Sequence, residues 1–135
     1  MTPHMSLPAP SLDDFEAMAR HTWSNLPGAF SKLAGDVAFR IQDFAEEDVL
    51  EDLEIEDPFA LTGLYAGVDL TRQSVSDPVA TIPMVFLYRR PILDEWCDRG
   101  DVALSDLVAH VLVHEVGHHF GLSDEDMDAV LARAD

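Results

Sequence analysis

The segment that begins at Asp101 or Ser105 and runs to Phe120 constrains this chain more than any other stretch. Val108, Val111, Leu112 and Val116 recur at helical spacing, so it reads as a strongly apolar helix, and Gly121 stops it. Within this helix lies His114-Glu115-Val116-Gly117-His118. Residues four apart on a helix differ by about 400° of rotation and ~6 Å of rise, so the two imidazoles leave one face. From there both can hold one Zn²⁺. Glu115 stands on the flank of that position, where a carboxylate can take a proton from a water and later hand it to a leaving amine.

A catalytic zinc needs a third protein ligand and an open position. The sequence continues His118-His119-Phe120-Gly121-Leu122-Ser123-Asp124, giving the spacing H-E-x-x-H-x-x-G-x-x-D. Gly121 can adopt the left-handed conformation that ends a helix and turns the chain back, which would swing Asp124 under the metal. Asp124 also fits the first turn of a following helix, but Ser123 can cap that helix itself and leave Asp124 for the ion. His110, one turn before His114, reads as a neighbouring polar group rather than a ligand. His119 points away from the face shared by His114 and His118 and suits packing or a cap. Tyr65 and Tyr88 read as strand aromatics; either could instead donate a hydrogen bond to an oxyanion.

The remaining chain reads as one domain of mixed composition. Residues 1–10, with Pro3, Pro8 and Pro10, form a lead-in, and residues 11–135 form the domain. Ser11 offers an N-cap to a helix carrying Leu12, Phe15, Met18 and Ala19, which Pro27-Gly28 ends. Val37, Phe39 and Ile41 alternate as a strand. Nine carboxylates and no cation lie between Asp43 and Asp57, a short solvated helix on Val49, Leu50 and Leu53. Leu61 to Leu70 is a short strand or a glycine-bent loop, and Thr71 to Pro78 a loop. Ile82 to Tyr88 is a strand that Pro83 places towards a sheet edge, above the metal, where an extended substrate could pair with it. A short helix follows Pro91 and closes near Gly100, with Cys97 as a small hydrophobe near Trp96. After Gly121, Ser123 and Asp126 form a capping box for a last helix. The fold class is α+β.

Charge and composition narrow the functions. Eight Lys and Arg against 26 Asp and Glu leave a formal charge of −18 over 135 residues. That field repels phosphate backbones and anionic lipid, so nucleic-acid and membrane-surface roles are excluded, and it favours cationic peptides as partners. The single cysteine allows no internal disulfide and suits a reducing compartment. No window reaches 18 consecutive apolar residues and no secretory signal is visible, so a cytoplasmic protein is expected.

The stretch His114 to Met127 resembles the small bacterial zincin-like metallopeptidases. Gly63-Leu64-Tyr65-Ala66-Gly67-Val68 and Leu87-Tyr88-Arg89-Arg90-Pro91-Ile92 are similar to further pieces of that family, so the likeness spans about Phe30 to Val130. The resemblance implies a minimal zincin fold and a metal-dependent peptidase of unsettled substrate, with one Zn²⁺ per chain. The extended motif is also similar to metzincins, with Asp124 in place of their third histidine and only 11 residues after it, too few for a downstream subdomain with its Met-turn. Two rivals follow: a catalytically weak metal-binding module acting in protein–protein interaction, and a metal hydrolase acting on another amide.

Overall fold

The computed structural model describes residues 9–71 and 80–133. In chain order it holds α1 (Leu12–Ser24), α2 (Gly28–Ala34), β1 (Ala38–Gln42), α3 (Glu47–Asp52), a 3₁₀ turn (Pro58–Ala60), β2 (Gly63–Thr71), β3 (Ala80–Tyr88), α4 (Arg89–Arg99), α5 (Leu104–His119) and α6 (Asp124–Arg133). This is the α+β class expected from the sequence. Residues 1–8 of the expected lead-in and 72–78 of the expected loop lie outside the described residues, and Thr71 ends β2.

Local chemistry sets the helix ends. The Ser11 hydroxyl accepts from the Asp14 amide and the Asp14 carboxylate from the Ser11 amide, a complete capping box worth about 1 kcal/mol. α1 ends at Ser24, and Pro27 does not close it but serves as the N-cap of α2, which the hydrophobic pattern did not reveal. α4 starts two residues before Pro91, whose missing N–H falls among the first-turn donors that have no intrahelical partner anyway. Gly100, at φ 77°, closes it. Cys97 is exposed rather than packed as a small hydrophobe, whereas the Trp96 indole donates 2.8 Å to the Val102 carbonyl and tightens the α4–α5 turn.

The three strands form a mixed sheet in the order β1-β3-β2, with β1 parallel and β2 antiparallel to β3. β3 is therefore the central strand, which corrects the expectation that Pro83 places it at an edge. The register explains how the proline is tolerated: β1 begins pairing at Met84, so at Pro83 only β2 flanks the strand. The period of two divides the sheet. Val85 and Leu87 face one core with α1 and α5, while Phe86 and Tyr88 join a smaller cluster with Ala45 and Leu50.

α5 is the axis of the larger core. Eight of its sixteen residues are buried, too many for one stripe, because α1, α4, α6 and the sheet surround it. Arg89 fastens the periphery: its guanidinium donates to the Pro10 carbonyl at 2.6 Å and to Asp43 at 2.9 Å.

Candidate metal centre

α5 carries His114 and His118 outward from its buried side, with ring centroids 5.5 Å apart. A Schellman turn then reverses the chain. Gly121, at φ 77°, donates to the His118 carbonyl at 3.1 Å, and Leu122 donates to the Gly117 carbonyl at 2.9 Å. Ser123 and Asp126 cap α6 reciprocally, at 3.1 and 3.3 Å, as their spacing predicts. Asp124 is thereby free of the cap. Its carboxylate and one ring nitrogen from each of His114 and His118 all lie within 4.8 Å of one another.

These residues fit a divalent ion of the zinc type. Nε2 of His114 is buried and has no hydrogen-bond partner among the described residues, a costly state for a polar atom unless something else satisfies it. Two imidazoles and one carboxylate are a donor set that zinc accepts, and three protein ligands leave a coordination position open. His118 and Asp124 are exposed, so that position faces solvent.

Two glycines let neighbouring elements close on this helix, a packing part that sequence reasoning gave to neither. A Cβ on Gly117 would stand 2.6 Å from Sδ of Met127, so α6 packs onto α5 where a side chain would forbid it. A Cβ on Gly63 would stand 2.8 Å from Val111 and 3.4 Å from Glu115, so β2 presses against the same helix beside the carboxylate. Both needs depend on a distant partner and leave no local signal.

Glu115 is half-buried under this strand. Burial pushes its carboxyl above the usual carboxylate range, and the neighbouring His118 pulls it partly back. The His110 ring stacks on His114 with centroids 4.0 Å apart. Its pKa is lowered, first by burial and then by His114 and Arg99, with Glu95 and Asp128 opposing. His119 turns away from the ligand face and meets the Tyr65 ring edge-on at 4.6 Å, and Phe120 lies 5.9 Å from Tyr65. Tyr65 thus stands beside the ligand-bearing end of α5. Tyr88 is instead buried at 1% exposure, its phenol pushed up to about 12 by burial, then by Glu46 and Glu115.

A helix carrying H-E-x-x-H under a small mixed sheet, with a third ligand candidate after a glycine turn, defines a zincin-type domain. Comparison with protein families bears this out: residues 34–133 match the zincin-like metallopeptidases, and the chain belongs to that family. A comparison with curated proteins returns no match. Among the described residues no helix is long and apolar enough to cross a membrane.

Proposed function

We propose that the chain is a zinc-dependent peptidase in which His114, His118 and Asp124 hold the ion and Glu115 is the general base. The observation that carries this reading is that donor atoms of His114, His118 and Asp124 lie within 4.8 Å of one another; the buried Nε2 of His114, without a partner among the described residues, adds to it. A zinc ion bound there supplies Lewis acidity towards a carbonyl oxygen or a water molecule.

The chain's own residues carry the remaining steps. Glu115, next to the first ligand in sequence, accepts the proton of the attacking water and returns it to the departing amine. Gly63 brings β2 against Glu115, and β2 is the outer strand on this side of β3. An extended peptide can therefore pair with the edge of β2, rather than with β3, and lie across the ligand face of α5. Tyr65, partly exposed where Tyr88 is buried, is the one of the two tyrosines that a bound peptide could reach and so the candidate to donate to an oxyanion.

The test is elemental analysis combined with one substitution. The protein is expected to carry about one zinc per chain, and Glu115→Gln to keep the metal and lose peptide hydrolysis by at least about a hundredfold. Protein that is folded, metal-free after gentle purification and unable to take up zinc would overturn the reading. The exposure of His118 and Asp124 supports a second reading, a metal-binding module whose ion meets a protein partner. That reading is favoured if chelation lowers the melting temperature while no peptide in a diverse set is cleaved.

A further inference from the structure

A cleft of about 450 Å³ opens where the end of α1 meets the first half of α5 and the last turns of α6. Six of the eight residues that line it carry polar side chains, among them His21, Thr22, Asn25, Asp106 and His110. His110 is the wall it shares with the metal centre, because the same ring stacks on His114 at 4.0 Å. Asp106 stands eight residues before His114, two helical turns and ~12 Å of rise, so the cleft suits the side chain of a residue a few positions along an extended peptide from the one at the metal centre.

The lining is rich in acceptors. Histidines aside, Asp106 is its one formally charged residue, and it takes part in no ion pair among the described residues. Arg99, which lines the adjoining cleft, is held by Glu95 at 2.7 Å. The Asn25 amide nitrogen lies 3.0 Å from Nε2 of His21, which leaves its carbonyl oxygen to accept from elsewhere. A carboxylate, an amide carbonyl and the Thr22 hydroxyl together match a group that presents several donors and a positive charge. The volume falls in the range of side-chain and small-ligand pockets.

We propose that this cleft is a subsite for the lysine or arginine side chain of a peptide bound at the metal centre. Its place in a substrate rests on the peptidase reading; its affinity for a cation does not. The experiment is an NMR titration of the full-length ¹⁵N-labelled protein at about pH 8. The probe is capped arginine methylamide, compared with the isosteric but uncharged capped citrulline methylamide. Saturable shifts are expected at His21, Asn25, Asp106 and His110, with citrulline weaker by about tenfold or more and Asp106→Asn weakening the arginine probe about as much. Asn25→Ala tests the same wall without touching charge and is expected to weaken the probe severalfold. Absence of saturable shifts there, or equal binding of arginine and citrulline, would overturn the proposal.

Peptide cleavage separates this outcome from failure of the parent reading. Protein that binds the arginine probe here but cleaves nothing retains the cation site and loses the peptidase. Protein that cleaves peptides with the same kcat/KM whether they carry arginine or norleucine, and shows no shifts, retains the peptidase and loses the subsite.

Discussion

Sδ of Met127 lies where a side chain on Gly117 would begin, 2.6 Å from the position of its Cβ. That contact seats α6 on α5 three residues after Asp124, and so places a carboxylate beside two histidines of another helix. Met127 is fully buried, so it cannot retreat into solvent.

Gly117→Ala is accordingly expected to destabilise the protein. Alanine in place of glycine inside a helix contributes about 1 kcal/mol of stability, and overpacking a buried contact costs about 1–3 kcal/mol. The second effect is larger here because the clash is with a fully buried side chain. Urea unfolding should show a net loss of up to about 2 kcal/mol, accompanied by weaker zinc binding as α6 shifts. Unchanged stability together with unchanged zinc affinity would contradict the packing described.

Two carboxylates at the start of α6 are expected to separate metal binding from folding. Asp124→Ala removes an exposed ligand candidate outside the cap, so zinc affinity should fall by at least about tenfold while metal-free stability changes by less than about 1 kcal/mol. Asp126→Ala breaks the capping box with Ser123 and should cost about 1 kcal/mol of stability in the metal-free protein. Isothermal titration with zinc and thermal unfolding distinguish the two; an Asp124 variant with full affinity would remove it from the ligand set.

Removal of the ion should loosen the C-terminal helix before the rest. Zinc at a hundred times its Kd adds about 2.7 kcal/mol to the folded state, and a chelator withdraws it. Because one ligand candidate is on α6 and two are on α5, hydrogen exchange after chelation should accelerate most between Asp124 and Arg133. Uniform acceleration, or none, would argue against an ion bridging the two helices.

Tyr88 gives the alkaline limit of stability. Its phenol is raised from 10.0 to about 12, so the folded protein keeps a proton that the unfolded chain releases. The linked stability is fully present below pH 10 and is lost as pH rises towards 12, at most about 3 kcal/mol for this group. An ultraviolet titration should show Tyr88 ionising together with loss of the folded circular-dichroism signal. Ionisation of both tyrosines near pH 10 in a still-folded protein would contradict the burial of Tyr88.

What could be read from the sequence is what local chemistry decides. The apolar period of α5, the H-E-x-x-H spacing, the turn at Gly121 and the Ser123–Asp126 cap each need only a few consecutive residues. Strand order is different. β3 lies between β1 and β2 because β1 pairs with it from 46 residues away in the chain, as Ala38 does with Met84, and a proline's local preference could not reveal that. The seven-residue α2 was missed because it is too short to display a period and has a proline at its N-cap. Gly63 and Gly117 looked like ordinary glycines, because their significance belongs to Val111 and Met127.

The turn at Gly121 has one further consequence. All three ligand candidates lie within eleven consecutive residues, His114 to Asp124, on two helices joined by a tight reversal. The entropy of closing such a short loop is small, so the α5–α6 hairpin can gather its ligands without waiting for the strands to find their order. The sheet contributes the wall beside Glu115 and the edge along which a peptide can lie. On the proposed reading, ion capture and strand pairing with a peptide would thus rest on separable parts of the chain, and a descendant of this sequence could lose one while keeping the other.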